Sequence, residues 1–127
     1  MKAELCPCGS QRQYKQCCGV YHQGEIAPTA EDLMRSRYSA FVLELKDYLL
    51  ETWHPSSRPQ QLQFDSDVRW LGLKIKACED GQENDTQGRV SFVARYKING
   101  KAQRLIENSR FIKQQGRWFY LDGEVLC

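Results

Sequence analysis

Six cysteines stand at positions 6, 8, 17, 18, 78 and 127, and the first four fall between Cys6 and Cys18. Four thiolates that converge form a soft tetrahedral donor set. Such a set closes a structural Zn2+ site and leaves no open position for catalysis. The N-terminal Met1-Lys2-Ala3-Glu4-Leu5-Cys6 lacks the apolar stretch of a signal peptide, which points to a cytoplasmic, reducing setting. There, thiols this close read as metal ligands rather than disulfides. Gly9 permits a tight turn after the first pair. Ser10 with Gln13 forms a capping box that predicts a short helix from Ser10, and Gly19 is its expected stop. The second pair, Cys17-Cys18, then faces the first across a knuckle. The fourth ligand is read as Cys18, with His22 as the alternative through a C-x-x-x-H spacing that also suits zinc. Zn2+ with four thiolates carries −2, and Lys2, Arg12 and Lys15 are near enough in sequence to offset it.

The run Cys6-Pro7-Cys8-Gly9-Ser10, Tyr14-Lys15 and Cys17-Cys18-Gly19 resembles the SEC-C motif, a zinc module also found at the C-terminus of the preprotein translocase ATPase. In that enzyme the module contacts an export chaperone and ribosomes. The resemblance therefore implies a protein partner, or association with RNA or the ribosome, rather than catalysis. Arg12, Tyr14 and Lys15 lie between the ligand pairs and are the side chains expected on such an interaction surface. Compensation of the thiolate charge explains the two cations equally well.

The elements that must carry this module belong to one domain. The chain has 127 residues, 41% of them hydrophobic and 27% charged, with three Trp, six Tyr and five Phe to fill a core. That composition excludes disorder as the dominant state, and no apolar run reaches the length of a membrane span. A net charge of +2 is too small to argue for nucleic acid by itself. Residues 1–19 read as the zinc module, 20–28 as a linker and 29–127 as the main domain. Thr29 with Asp32 caps a helix whose apolar stripe is Met34, Tyr38, Phe41, Val42, Leu45, Leu49 and Trp53, and Pro55 ends it. Periodicity does not show whether this long pattern breaks near Glu44–Asp47. After a polar loop, strands follow. Leu71, Leu73, Ile75 and Ala77 share one face of the first, with Cys78 on the other. Val90, Phe92, Ala94, Tyr96 and Ile98 alternate in the second, and Asn99-Gly100 is a hairpin turn. Leu105–Lys113 and Arg117–Leu121 complete an antiparallel meander in an α+β domain.

A four-stranded sheet curled around the helical stripe leaves a cone-shaped pocket. This order resembles the nuclear-transport-factor-2-like fold. The N-terminal Cys-Cys motif, Leu33-Met34-Arg35-Ser36-Arg37-Tyr38-Ser39-Ala40-Phe41, Thr52-Trp53-His54-Pro55 and Gly116-Arg117-Trp118-Phe119-Tyr120-Leu121-Asp122-Gly123 together resemble the bacterial YchJ-like family. The candidate pocket residues are Arg37, His54, Glu107 and Ser109. Glu107 and Ser109 share the strand face of Leu105 and Phe111, so they point inward, and a carboxylate there needs a partner, for which Arg37 is the candidate. His54 is placed at the pocket mouth and Asp122 on the same wall. Three functions follow as expectations: a zinc-dependent adaptor for a protein partner, a small-molecule pocket, and RNA or ribosome binding.

Overall fold

The computed structural model describes residues 4–126. A 3-10 turn at Tyr14–Gln16 leads into α1 (Cys18–His22), and α2 (Ala30–Leu43) and α3 (Lys46–Glu51) follow. Then come β1 (Val68–Asp80), β2 (Gln87–Ile98), β3 (Lys101–Gln114) and β4 (Arg117–Leu126). The strands form one antiparallel sheet in the order β1-β2-β3-β4, the meander expected from the alternation. No helix among the described residues is long and apolar enough to cross a membrane.

The long helical pattern is two helices. Thr29 Oγ1 accepts the Asp32 amide at 3.1 Å and starts α2 as expected. Glu44 takes a left-handed conformation (φ 57°), and the Leu45 amide turns back to the Ala40 carbonyl at 2.8 Å, closing α2 with a Schellman motif. The break lets α3 fold back beside α2. The sheet wraps the other side of α2, and Ala30, Leu33, Met34 and Tyr38 meet Val90, Phe92, Phe111 and Trp118 in the core.

Strand β1 departs from simple alternation. Irregularities between Trp70 and Gly72 and between Ile75 and Ala77 bend it and change which residues face the helix. Trp70 pairs with Tyr96 and packs on Tyr38, whereas Leu71 is 44% exposed. Leu73 and Ile75 face the core as expected, but Ala77 is exposed. Past the second irregularity Cys78 turns to the helix side, where its thiol donates to Glu31 Oε1 at 3.3 Å. The face expected from alternation is therefore corrected for Leu71, Ala77 and Cys78. The hairpin turns obey local chemistry. Asn99-Gly100 and Gln115-Gly116 both have the paired positive φ angles of a type I′ turn.

Helix α2 is fastened to the sheet at its first turn. The Ala30 amide donates to the Gly81 carbonyl at 2.9 Å, and the Trp118 indole donates to the Pro28 carbonyl at 3.1 Å. Gly81 and Gly88 pass so closely that a Cβ on Gly88 would lie 2.5 Å from the Gly81 Cα and 2.8 Å from its nitrogen. Backbone cannot yield as a side chain can. Gly88→Ala should therefore cost about 2 kcal/mol and lower the thermal midpoint by several degrees. Gly72→Ala meets only the Arg95 guanidinium, at 3.4 Å, and should change little in the same melting experiment.

Candidate functional site

The N-terminal knuckle is built from backbone bonds around the four cysteines. The Cys6 amide donates to the Arg12 carbonyl at 2.8 Å and the Tyr14 amide to the Glu4 carbonyl at 3.0 Å, with Leu5 bridged to Gln13. Left-handed Gly9 and Gln11 make the reversal. The helix expected from Ser10 does not form there. Ser10 Oγ instead accepts the Arg12 amide and contacts Cys17 Sγ at 3.1 Å, so the helical turn starts later, at Tyr14. Gly19 does not end a helix but lies inside α1, where a Cβ would strike the Tyr14 carbonyl at 2.7 Å. The first part of the expected linker is accordingly helical, through His22.

Cys6, Cys8, Cys17 and Cys18 are all buried, and their sulfurs lie within 4.8 Å of one another. Cys8 and Cys17 are 3.6 Å apart. A tetrahedral ion with metal–sulfur bonds near 2.3 Å requires sulfurs about 3.8 Å apart, so this donor set fits a metal ion. Donation from the Cys18 and Cys8 thiols holds Cys6 down at about 3, and Cys18 is pushed far up, first by its bond to Cys6. Arg12 is exposed, and its guanidinium is held above its ordinary value mainly by Cys17. Lys15 is exposed as expected, and Lys2 lies outside the described residues, as does Cys127.

His22 is occupied elsewhere. Its Nε2 is 2.8 Å from the Ser36 carbonyl, which can only accept, so Nε2 carries the proton and Nδ1 accepts the Tyr14 hydroxyl at 2.5 Å. Burial lowers its pKa. Tyr14 is thereby half-buried between knuckle and helix rather than exposed beside Arg12 and Lys15 as expected.

The knuckle leans on α2 and β1. Cys6 Sγ contacts Ser39 Oγ at 3.4 Å, Arg35 Nη1 donates to the Cys8 carbonyl at 2.9 Å, and Leu73 packs on the cysteine cluster. The opposite side of α2 forms a wall of the cone. There a cavity of about 320 Å3 opens among Tyr38, Phe41, Trp70, Phe92 and Leu105, with Arg37, Glu107, Ser109, Trp53 and Tyr120 at its polar end.

Arg37 and Glu107 both line this cavity, yet the expected ion pair between them is not formed. The ion pairs among the described residues are Arg35–Glu31 and Arg110–Asp122. Arg37 Nη1 donates to the Leu49 carbonyl at 2.8 Å and to Thr52 Oγ1 at 2.6 Å, both at the end of α3. Its guanidinium lies over Trp53 and Tyr120, 5.1 and 4.7 Å from their ring centres. Burial brings Arg37 down to about 10, and burial with the nearby Glu107 charge raises Tyr120 to about 12. Glu107 Oε2 accepts the Ser109 hydroxyl.

Two further expectations are corrected. His54 is outside the cavity, on the sheet rim, bonded to Ser56 at 2.7 Å and to Gln114 at 3.0 Å. Asp122 is on the outer face, taking Arg110 Nε at 2.6 Å. Sequence reasoning did not assign Trp53, Trp70 and Tyr120 to the site. The shared strand face of Trp118 and Tyr120 was the available signal for the last.

The geometry separates the two charged cavity residues by their structural roles. Arg37→Met removes two charge-assisted bonds that cap α3 and should cost about 2–4 kcal/mol. Glu107→Gln keeps an acceptor for Ser109 and should cost less than about 1 kcal/mol. Denaturant unfolding of the two variants checks this, and equal large losses would reinstate a direct pair.

Residues 29–123 match the family described as "YchJ, middle NTF2-like domain", and residues 3–19 match the SEC-C motif. A UPF0225 protein of Bordetella pertussis is 55% identical over 124 residues, covering 94% of this chain and 92% of the relative. A UPF0225 protein of Chromobacterium violaceum is 54% identical over 125 residues, with the same two coverages. Among solved structures, a SEC-C motif containing protein from Rhodopseudomonas palustris superposes with a TM-score of 0.83 at 33% identity, covering 98% of this chain and all of that one. One from Psychrobacter arcticus gives 0.75 at 29% identity, covering 98% and 84%. The knuckle, the wrapped sheet and these likenesses agree: the chain belongs to the YchJ-like UPF0225 family, with a SEC-C motif set against a nuclear-transport-factor-2-like domain.

Proposed function

We propose that the chain binds a small molecule in its cone and that Zn2+, held by Cys6, Cys8, Cys17 and Cys18, fastens the wall of that cone. The observation that carries the first half is the cavity itself. Its volume of about 320 Å3 falls in the range of ligand pockets, and it combines aromatic walls with a few polar groups at one end. The second half is supported by the all-sulfur donor set and by a knuckle that shares its packing with Ser39 and Leu73. In this reading residues 1–19 and 29–127 act as one unit in a reducing cytoplasm, where the thiolates persist. An adaptor or RNA-binding role for the knuckle has less support, because Tyr14, the one aromatic side chain of the expected interaction surface, is spent on His22.

Protein prepared without chelator should contain one zinc per chain by elemental analysis. Cys18→Ser should lose it and His22→Ala should keep it; the reverse pattern would move the fourth ligand to the histidine.

A fragment screen by ligand-observed NMR tests the pocket. Saturable binders should appear, and Ala94→Leu, which pushes a larger side chain into the cavity, should weaken them at least about tenfold. Binders indifferent to Ala94→Leu, or no binders, would contradict the proposal.

A further inference from the structure

The polar end of the cavity holds two opposite charges that do not meet. Arg37 is only 3% exposed, and both of its hydrogen bonds to described residues leave from Nη1. Nε and Nη2 have no acceptor among the described residues. Trp53 and Tyr120 both lie to one side of the guanidinium, their ring centres 5.2 Å apart, and a hydrogen-bonding partner would meet its free N–H groups in the guanidinium plane. Glu107 uses Oε2 for the Ser109 hydroxyl and has the Tyr120 hydroxyl as a further neighbour, and a carboxylate has lone pairs for another donor. The cavity thus offers unpaired N–H donors and a carboxylate with acceptor capacity to spare, while its formal charge already sums to zero.

We propose that the occupant is a neutral planar molecule whose polar edge carries a carbonyl acceptor beside an N–H donor: a carboxamide or lactam on an aromatic body. This rests on the reading of the cavity as a binding site. The carbonyl takes the in-plane N–H edge of Arg37, and the N–H goes to Glu107. The aromatic body lies among Tyr38, Phe41, Trp70 and Phe92. A carboxylate would satisfy Arg37 but face Glu107. An amidinium would satisfy Glu107 but face Arg37. Either leaves a like-charge contact in a site shielded from water, where such contacts are costly. A neutral donor–acceptor edge satisfies both residues.

The test is calorimetric titration of the full chain, loaded with its metal, with three probes of one shape: 2-naphthamide, 2-naphthoate and 2-naphthamidine. The neutral amide should bind at least about tenfold more tightly than either charged probe. In Glu107→Gln the naphthoate should gain at least about tenfold relative to the amide, because the repelling carboxylate is gone. A wild-type order in which naphthoate or naphthamidine equals or exceeds the amide overturns the proposed class while leaving the pocket intact. Failure of all three probes, with screened fragments still binding and displaced by Ala94→Leu, also overturns the class alone. Failure of every compound, fragments included, removes the pocket reading beneath it.

Discussion

Helix α2 is buried on two opposite sides, and its polar side chains must be satisfied in both directions. Ser36, Arg37 and Ser39 are each at most 3% exposed. A buried polar group without a partner costs about 1–3 kcal/mol, so these residues dictate what surrounds them. Ser36 bonds the Leu33 carbonyl and the Tyr48 hydroxyl, Ser39 meets Cys6, and Arg37 holds the end of α3. The knuckle, α3 and the cone are thereby registered on one fourteen-residue element. Neighbouring residues on this helix serve different sites: Arg35, Ser36 and Ser39 address the cysteine cluster and its surroundings, while Met34, Arg37, Tyr38 and Phe41 address the cavity.

This arrangement gives a structural metal a wider reach than the knuckle alone. A short segment with four cysteines has almost no apolar surface of its own, so metal binding would supply its folding free energy. The apolar contacts it does make are borrowed: Leu73 from β1 and the half-buried Tyr14, whose hydroxyl is anchored through His22 to the Ser36 carbonyl. Cys6 contacts Ser39, and Arg35 holds the Cys8 carbonyl. Both contacts are on the helix that walls the cavity.

Much of this was legible where the signal is local. The C-x-C and C-C spacings marked the cluster, because ligands this close in sequence are brought together by two turns. Period-two alternation marked β2 and β3, and Asn99-Gly100 marked their turn, because a type I′ turn demands positive φ. The inward face of Glu107 and Ser109 followed from the same alternation. Strand β1 was harder. Trp70, Leu71 and Leu73 are apolar on both sides of a bulge, so alternation could not say which of the first two turns inward. The partners of Arg37 were illegible for another reason. They are a backbone carbonyl and a hydroxyl at the end of α3, and they exist as a site only because Glu44 reverses the chain. A carboxylate on the facing strand looked like the natural partner, but the guanidinium is held by the helix end instead. His22 was read as a zinc candidate by spacing alone, although its two nitrogens are committed to Tyr14 and Ser36 by the tertiary packing of α1 on α2.

Contacts run without a gap from the cysteine cluster through α2 to the cavity. Amide NMR spectra of the zinc-loaded protein, recorded before and after metal removal by a chelator under reducing conditions, test this continuity most directly. Shifts are expected to run from the knuckle along Arg35–Phe41 and on to Trp53 and Tyr120 across the cavity. Shifts confined to residues 4–23, with Arg37, Trp53 and Tyr120 unmoved, would contradict it.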